Sequence, residues 1–291
     1  MTALISAEGA VPDVDAAPGR LLRALAGHWG FRAGAALAVL LAALAVLGPF
    51  FAHGPNVTDY ANQIAAPSAG HWLGTDDAGR DEFARTVAGA RTTLGAAMLV
   101  FGLTTAIGIV VGTAAGFLGG IFDACVSRLM DLLLGLPSLV LALAVVGALG
   151  PSFGNLILAV TVTGWAGLAK LSRAYTVGAR QRADVTAATM AGVRTSSILV
   201  SHVLPGVAVQ AFIAATLGLG DTILGLAGLS FLGLGVQPPT AEWGNMLSES
   251  SLYDTVAPWL VIGPGLGIIA AVAAATLISD ALRDCTDPGR G

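Results

Sequence analysis

Charged side chains are scarce in this sequence. They make up 11% of its 291 residues, whereas a soluble domain carries about 25%. Lysine occurs once, at Lys170, so nearly every basic residue is an arginine. Hydrophobic residues account for 55% of the chain. This balance excludes an ordinary soluble enzyme and a disordered chain, and it indicates a polytopic helical membrane protein.

The motifs of common catalytic and metal sites are also missing. Cys125 and Cys285 belong to no CxxC or Cys/His cluster, which argues against a zinc site or a disulfide framework. Lys170 follows Ala169 rather than a glycine, so there is no phosphate-binding P-loop. Ser230 lies in a Gly-Leu-Ser-Phe-Leu run, which departs from the G-x-S-x-G pattern. We therefore expect no enzymatic activity and no cofactor on this chain, and its net charge of -4 argues against a nucleic-acid partner.

Six apolar runs are present, and all but the fifth are near the length of about 20 residues that crosses a bilayer as a helix. Pro137 lies inside the third run. The fifth run belongs to a stretch too long for one span, so we expect part of it to be extended, re-entrant or folded back. The runs cover residues 33–52, 94–118, 129–149, 153–171, 203–236 and 257–278.

One acid, Asp221, lies inside the fifth apolar run. Ionisable residues at membrane depth are costly and often functional. One interpretation is therefore that Asp221 lines a water-filled translocation path. The other is that it pairs with a neighbouring helix or subunit, and the sequence leaves both open.

The distribution of basic residues favours both termini on the cytoplasmic side. Eleven basic residues then lie in cytoplasmic segments and three in external ones, and the reverse orientation would place eleven outside. We expect a cytoplasmic tail at 1–32 and a transmembrane domain at 33–291. Within that domain we expect an external loop at 53–91, a cytoplasmic loop at 170–204 and a cytoplasmic tail at 280–291.

The external loop contains a cluster of charges with two interpretations. The charges contact an external partner protein or form an outer gate, or they form an internal ion-pair cluster that stabilises an interfacial helix. Surface ion pairs add little stability, so tolerance of mutation would separate the two. The cluster comprises Asp76, Asp77, Arg80, Asp81, Glu82 and Arg85.

Glycine recurs at every fourth position near the end of the second run. Small residues at this spacing give a helix one flat face for close packing. That face packs within the chain or across a subunit interface. The series is Gly108, Gly112, Gly116 and Gly120.

The cytoplasmic loop is basic and long enough for two short helices. Thr186 is a good N-cap, with Ala187 and Ala188 as helix formers behind it. Gly192 is suited to end that helix in a left-handed conformation. We therefore expect a short helix, a glycine break and a second short amphipathic segment, to which another protein docks.

This loop resembles the EAA loop of binding-protein-dependent ABC importer permeases. That family pattern is Glu-Ala-Ala, three residues, a glycine, and then nine to eleven residues to a Leu-Pro pair. Thr186 stands in place of the usual glutamate, and Gly206 in place of the asparagine that commonly follows the proline. The matching residues are Thr186-Ala187-Ala188, Gly192 and Leu204-Pro205.

The resemblance extends to the dipeptide/oligopeptide type of permease, C-subunit branch. The run HWLGTDDAGRD at 71–81 is similar to the H-x-L-G-T-D-x-x-G-R-D signature of that branch. Together with the other stretches, it makes the resemblance far more specific than any one motif. Those stretches lie at 164–165, 229–239, 243–247, 257–259, 282–284 and 287–288.

This resemblance implies an all-α type I ABC importer permease fold in a bacterial cell membrane. It implies a second homologous permease subunit, one or two ATPase subunits that bind ATP and Mg, and an extracytoplasmic substrate-binding protein. The cargo it implies is a peptide. The same machinery with another cargo, such as a nickel chelate or haem, is the alternative, and a stand-alone secondary transporter is the alternative from another class.

The resemblance also assigns the contact with the ATPase to the cytoplasmic loop. Alanines there allow close approach, and Val193 and Ile198 are expected to fill an apolar groove on the partner. Pro205 suits a fixed entry angle into the fifth span, and it is equally consistent with an ordinary proline at a helix start. The residues implied are Thr186, Ala187, Ala188, Gly192, Val193, Arg194, Ile198 and Pro205.

Overall fold

The computed structural model describes residues 24–51 and 54–286, and regular structure in this part is helical apart from one isolated bridge between Thr75 and Asp81. The predicted all-α fold class is confirmed for these residues. Most of the predicted tail 1–32 lies outside the described residues, as does the end of the tail 280–291. The α-helices are α1 Trp29–Phe51, α2 Glu82–Leu118, α3 Gly120–Leu134, α4 Ser138–Leu149, α5 Phe153–Ala179, α6 Ala183–Met190, α7 Thr195–Ile198, α8 Leu204–Leu217, α9 Leu219–Phe231, α10 Trp243–Ser250 and α11 Ile262–Thr286.

Shorter helical turns join some of these helices. A 3-10 turn, Tyr60–Asn62, lies in the segment before α2, and another, Pro258–Val261, leads into α11. A π-helical turn, Leu199–Val203, connects α7 to α8. The chain from Thr195 to Leu217 is therefore one nearly continuous helical segment.

The number of long apolar helices agrees with the prediction of about six spans. Five segments are long and apolar enough to cross a membrane, and the bent pair of α3 and α4 raises the number to six if it is one span. The five segments are Trp29–Phe50, Glu82–Leu118, Phe153–Ala179, Thr195–Leu217 and Pro258–Cys285.

The third run, 129–149, is divided between two helices. The run contains the end of α3 and all of α4, and the two helices meet at 94°. The Gly135 N–H closes α3 on the Asp131 carbonyl at 2.9 Å, and Pro137 precedes α4 with an extended ψ of 122°. Proline disfavours the α conformation in the residue before it, which explains why the helix breaks here.

The fifth run divides as its length requires. The segment Thr195–Leu217 ends at Gly218, and α9 begins as a separate helix at Leu219. Within the first part, the Leu204 N–H bonds the Leu199 carbonyl, five residues back, which is the π-helical pattern. Pro205 has no N–H to continue an α-helical ladder, so it favours this local widening at the start of α8.

Helix α2 begins at Glu82 rather than at residue 94, because Asp81 caps it. The Asp81 side chain accepts a hydrogen bond from the Ala84 N–H at 2.7 Å, which satisfies one free donor of the first turn. The helix then runs unbroken to Leu118. The segment 54–81 and the loop 180–203 consequently lie at opposite ends of the molecule.

The closest helix packing joins α2 to α5. A Cβ on Gly112 would overlap the Ala169 carbonyl, and one on Gly116 would lie 2.7 Å from the Arg173 carbonyl. Three members of the glycine series therefore pack against another helix of the same chain, which is the first of the two interpretations given above. They are Gly108, Gly112 and Gly116. The fourth, Gly120, has nothing within 4 Å of such a Cβ.

Replacing Gly112 by alanine should destabilise the α2–α5 contact. The new methyl group meets a backbone carbonyl that cannot move away, and overpacking of this kind costs about 1–3 kcal/mol. Gly102 of the same helix has open space around it, so Gly102→Ala is the matched control and should be nearly neutral. The measurement is the thermal unfolding midpoint of each purified variant in the same detergent, and equal midpoints for both variants would contradict the packing argument.

Candidate functional site

The loop at 180–203 is held against the ends of two long helices. Val185 of α6, Ile198 of α7, Val203 and Val207 are buried together. They pack against a ring of partly buried side chains from α2, α5 and the loop itself. This anchoring makes the loop a defined surface rather than a free connection, and the surrounding side chains are Phe117, Tyr175, Ala179, Ala188 and Leu199.

Arg180 strengthens this anchor. Its guanidinium lies 5.5 Å from the centre of the Phe117 ring, and its NH1 donates to the Gly116 carbonyl at 3.3 Å. A cation over an aromatic face is attractive, and here it fixes the exit of α5 to the end of α2.

Gly192 ends α6 in the left-handed conformation that the sequence predicts, with φ of +74°. Its N–H bonds the Thr189 carbonyl, and the Val193 N–H bonds the Ala188 carbonyl, both at 3.1 Å. This pair of bonds is the Schellman motif, which satisfies the last carbonyls of a helix. The motif turns the chain sharply between α6 and α7.

The predicted N-cap role of Thr186 is wrong. Helix α6 begins at Ala183, three residues earlier, with Arg182 at the N-cap position. Thr186 lies inside the helix, and its hydroxyl donates to the Arg182 carbonyl at 3.1 Å. The Thr186 side chain is therefore an exposed position on α6 rather than the start of the helix.

Exposure separates the predicted docking residues into two groups. Ile198 is only 5% exposed and packs within the chain, so it supports the loop and offers no side chain to a partner. Ala188 is half-buried, and Pro205 is exposed at the start of α8. Five predicted residues are exposed on α6 and after it: Thr186, Ala187, Gly192, Val193 and Arg194.

Met190 is a prominent apolar residue that the sequence reasoning missed. It is the last residue of α6 and is 84% exposed. It falls among the three unspecified positions of the EAA pattern, so the pattern gave it no weight. We refer to Met190 and the five exposed residues together as the candidate docking surface.

At the opposite end, the charges of the 54–81 segment form an internal ion-pair cluster. The Arg80 Nε lies 2.6 Å from Asp76 Oδ2, and the Arg85 Nε lies 3.2 Å from the same oxygen. The Arg85 NH2 reaches Glu249 of α10 at 3.0 Å. Arg85 is fully buried. Of the two interpretations, this arrangement matches the internal one for Asp76, Arg80 and Arg85.

The other predicted charges in this segment have different places. The Asp77 side chain is 43% exposed and lies 3.6 Å from the Arg80 NH2. Asp81 caps α2 and also contacts the His71 Nδ1 at 2.7 Å. Of the six charges in the predicted cluster, Asp77 is the most exposed and remains open to an external partner.

Before this cluster, Asp59 caps the short 3-10 turn. The Asn62 side-chain amide donates to it at 2.8 Å, and the Ala61 N–H donates at 3.1 Å. These hydrogen bonds lower the pKa of the Asp59 carboxyl. The segment is therefore ordered by its own polar contacts.

Glu242 joins α10 to α2, a contact that sequence reasoning missed. Its carboxylate accepts from the Gly244 and Asn245 N–H groups and from the Thr93 hydroxyl, at 2.9–3.0 Å. The buried Trp243 adds a hydrogen bond from its indole N–H to the Thr86 carbonyl at 2.8 Å. These contacts and the Glu249 ion pairs fasten the short polar helix to the long one.

Asp221 lies in the first turn of α9 and is exposed. Among the described residues, its carboxylate has no ion-pair partner. Pairing with a neighbouring helix of the same chain is therefore absent in this part of the protein. A role in the translocation path and a pairing with another subunit both remain as interpretations.

Comparison with known proteins identifies one protein family that this chain matches. Residues 108–290 match the family described as binding-protein-dependent transport system inner membrane component. The match covers α3 to α11 and therefore includes the whole candidate docking surface.

Several curated proteins are similar over most of this chain. The nickel transport system permease protein NikC of Escherichia coli (strain K12) is 36% identical over 265 residues, which is 91% of this chain and 96% of that protein. The dipeptide transport system permease protein DppC of Alkalihalophilus pseudofirmus is 39% identical over 79% of this chain and 76% of that protein. The glutathione transport system permease protein GsiD of Escherichia coli O6:K15:H31 is 37% identical over 86% of this chain and 83% of that protein.

Proposed function

This chain belongs to the family of binding-protein-dependent transport system inner membrane components, and on that premise we propose that it forms half of the translocation pathway of an ATP-driven importer. The other half is a second homologous permease subunit. One or two ATPase subunits, which bind ATP and Mg, and an extracytoplasmic substrate-binding protein complete the assembly. This chain is a multi-pass membrane subunit and carries out no hydrolysis itself.

The candidate docking surface is the observation that carries this proposal. It presents a short helix, α6, whose exposed end carries Met190 and whose direction is fixed by the Schellman motif at Gly192. The Val185 cluster holds the same helix against Phe117 and Tyr175. A rigid surface of this kind transmits movement of a docked ATPase to the spanning helices, whereas a flexible loop would absorb it.

We assign the docking surface to the cytoplasmic side, with both termini on that side. The excess of basic residues in the segments of that side supports this orientation. The 54–81 segment and α10 then face the substrate-binding protein, and exposed Asp77 is available to it. Closure of the ATPases around ATP would tilt the helices that meet at the docking surface, and hydrolysis would reset them.

The cargo we propose is a short peptide. The relatives named for dipeptide and glutathione transport support it. A nickel chelate is the second candidate, because the relative named for nickel transport is similar over 91% of this chain. Competition would separate the two: excess unlabelled dipeptide, but not excess nickel, should reduce uptake of a labelled dipeptide by cells that express the whole system.

The assembly itself is tested by purifying the tagged chain from its native membrane in mild detergent. We expect a second permease and one or two P-loop ATPases to copurify, and mass spectrometry identifies them. Cells depleted of ATP should stop transporting even when their ion gradient is kept. Recovery of the chain alone from a membrane that still transports would instead favour a stand-alone carrier.

A further inference from the structure

A large apolar cavity opens between α1, α2, α9 and α11. Its volume is about 680 Å³, which is in the range of small-molecule sites. The described residues that line it are apolar except for one, Arg91 of α2. Much of the wall consists of alanine and glycine, so the cavity is left by small side chains rather than by a separation of the helices.

The direction of the cavity follows from the packing of α1. Gly48 of α1 lies against Val87 of α2, and Gly34 lies against Leu277 and Ile278 of α11. Phe50 and Arg91 are therefore at the end that carries the 54–81 segment. The lining on α1 extends over residues 38–50, a length of about 18 Å. That length is close to one leaflet, since the hydrocarbon core of a bilayer is about 30 Å thick.

Arg91 marks the end of this cavity and also borders a second one. The second cavity has a volume of about 300 Å³ and lies on the other side of α2, with Leu99, Phe153 and Ile157 in its wall. Arg91 and Gly95 line both cavities. No atom lies within 4 Å of a Cβ placed on Gly95, so no side chain separates the two cavities at this ridge of α2.

Arg91 has no partner of its own among the described residues. Its side chain is exposed and makes no ion pair or hydrogen bond there. An arginine at the boundary of the hydrocarbon core is stabilised by an anion, and its planar guanidinium can bind a phosphate through two hydrogen bonds. Two apolar cavities thus begin at one unpaired cation.

From this arrangement we propose that the two cavities bind one glycerophospholipid from the leaflet on the side of the 54–81 segment. The phosphate pairs with Arg91, one acyl chain fills the larger cavity, and the other acyl chain crosses Gly95 into the smaller one. This site is independent of the cargo. It would hold α1 to α2 with a lipid at the place where their side chains leave a gap.

The cavities fit a lipid better than a helix of a second subunit. A spanning helix requires a groove across the whole hydrocarbon core, about 30 Å, and the lining here covers little more than half of that length. The rim residues Val46, Phe50 and Met98 are exposed, so the larger cavity opens sideways to its surroundings. In a membrane those surroundings are acyl chains.

The test uses the purified full chain in lipid nanodiscs with phosphatidylglycerol that carries a diazirine in the middle of one acyl chain. After irradiation, mass spectrometry locates the labelled residues. We expect labels in both cavities: in the peptide that contains Met98 for the larger cavity, and in the peptide that contains Phe153 for the smaller one. Gly95→Leu places a side chain on the ridge, and Gly102→Leu is the matched control on the same helix, since Gly102 also has open space and lines neither cavity.

Gly95→Leu should reduce this labelling about tenfold, whereas Gly102→Leu should leave it unchanged. Arg91→Gln should reduce it by about the same factor, because a charge-assisted hydrogen bond contributes about that much to affinity. Arg91→Lys should retain most of it, and this arm keeps the test valid if Gly95→Leu does not fold. Equal labelling in all variants would mean ordinary lipid contact and would overturn the proposal. Stronger labelling of the cavities by a photoreactive dipeptide would overturn it in favour of a cargo site.

Discussion

Replacing Gly192 by valine is expected to abolish most transport while the protein remains in the membrane. Gly192 has φ of +74°, which a β-branched residue adopts only with strain. The strain of about 1–2 kcal/mol is enough to lower the population of the native turn between α6 and α7 about tenfold relative to other conformations. The expected result is a loss of cargo uptake of about tenfold or more. The measurement is uptake by cells that express the whole system, normalised to the amount of chain in the membrane.

The control for this prediction is Gly192→Asn. Asparagine also adds a side chain, and no atom lies within 4 Å of a Cβ at this position, so crowding is the same small effect in both variants. Asparagine adopts the left-handed conformation far more readily than valine. Uptake should therefore stay near normal with asparagine. Normal uptake by Gly192→Val would show that the Schellman motif is not needed for coupling.

Replacing Arg85 by methionine should be the most destabilising single change in the internal ion-pair cluster. Arg85 is fully buried between Asp76 and Glu249, and it also donates to the Pro239 carbonyl at 3.2 Å. Its removal leaves two carboxylates with one arginine, Arg80, between them. Breaking a buried pair in this way costs about 3–5 kcal/mol, which corresponds to a fall of about 10 °C in the unfolding midpoint.

The comparison for Arg85 is Lys170→Met. Lys170 makes an ion pair with Asp131 at 2.8 Å, but its side chain is 58% exposed. An exposed pair contributes little to stability, so this midpoint should move by only a few degrees, about 2–4 °C at most. Thermal unfolding of both variants in the same detergent measures the difference. Similar midpoints for the two would refute the assignment of Arg85 to a stabilising internal cluster.

The long helices and the turn at Gly192 in the 180–203 loop could be predicted because each leaves a local pattern. Apolar runs of about 20 residues locate the spans, and Gly192 sits where a helix end needs a left-handed residue. The kink at Pro137 also has a local cause, but hydropathy alone joins the two sides of it into one run. The sequence therefore locates the run and the proline within it, but not the 94° angle between the two helices.

The contacts at the 54–81 end could not be predicted in the same way. Arg85 and Glu249 are 164 positions apart, and Thr93 and Glu242 are 149 apart. No periodicity links residues at such distances, so Glu242 and Glu249 went unnoticed. The burial of Ile198 could not be predicted for a different reason. The sequence of a short amphipathic segment shows which residues are apolar, but not whether they face the same chain or a partner.

The length of α2 has a mechanical consequence. The helix is an unbroken rod of 37 residues, about 55 Å long. Its closest contact with α5, at Gly112, divides it unequally, with Arg85 about 40 Å to one side and Phe117 about 8 Å to the other. A tilt about that pivot moves Arg85 about five times as far as Phe117. A shift of about 1 Å at the Phe117 end thus becomes about 5 Å at the ion-pair cluster. The ratio of the two displacements depends on where along α2 the pivot at Gly112 lies.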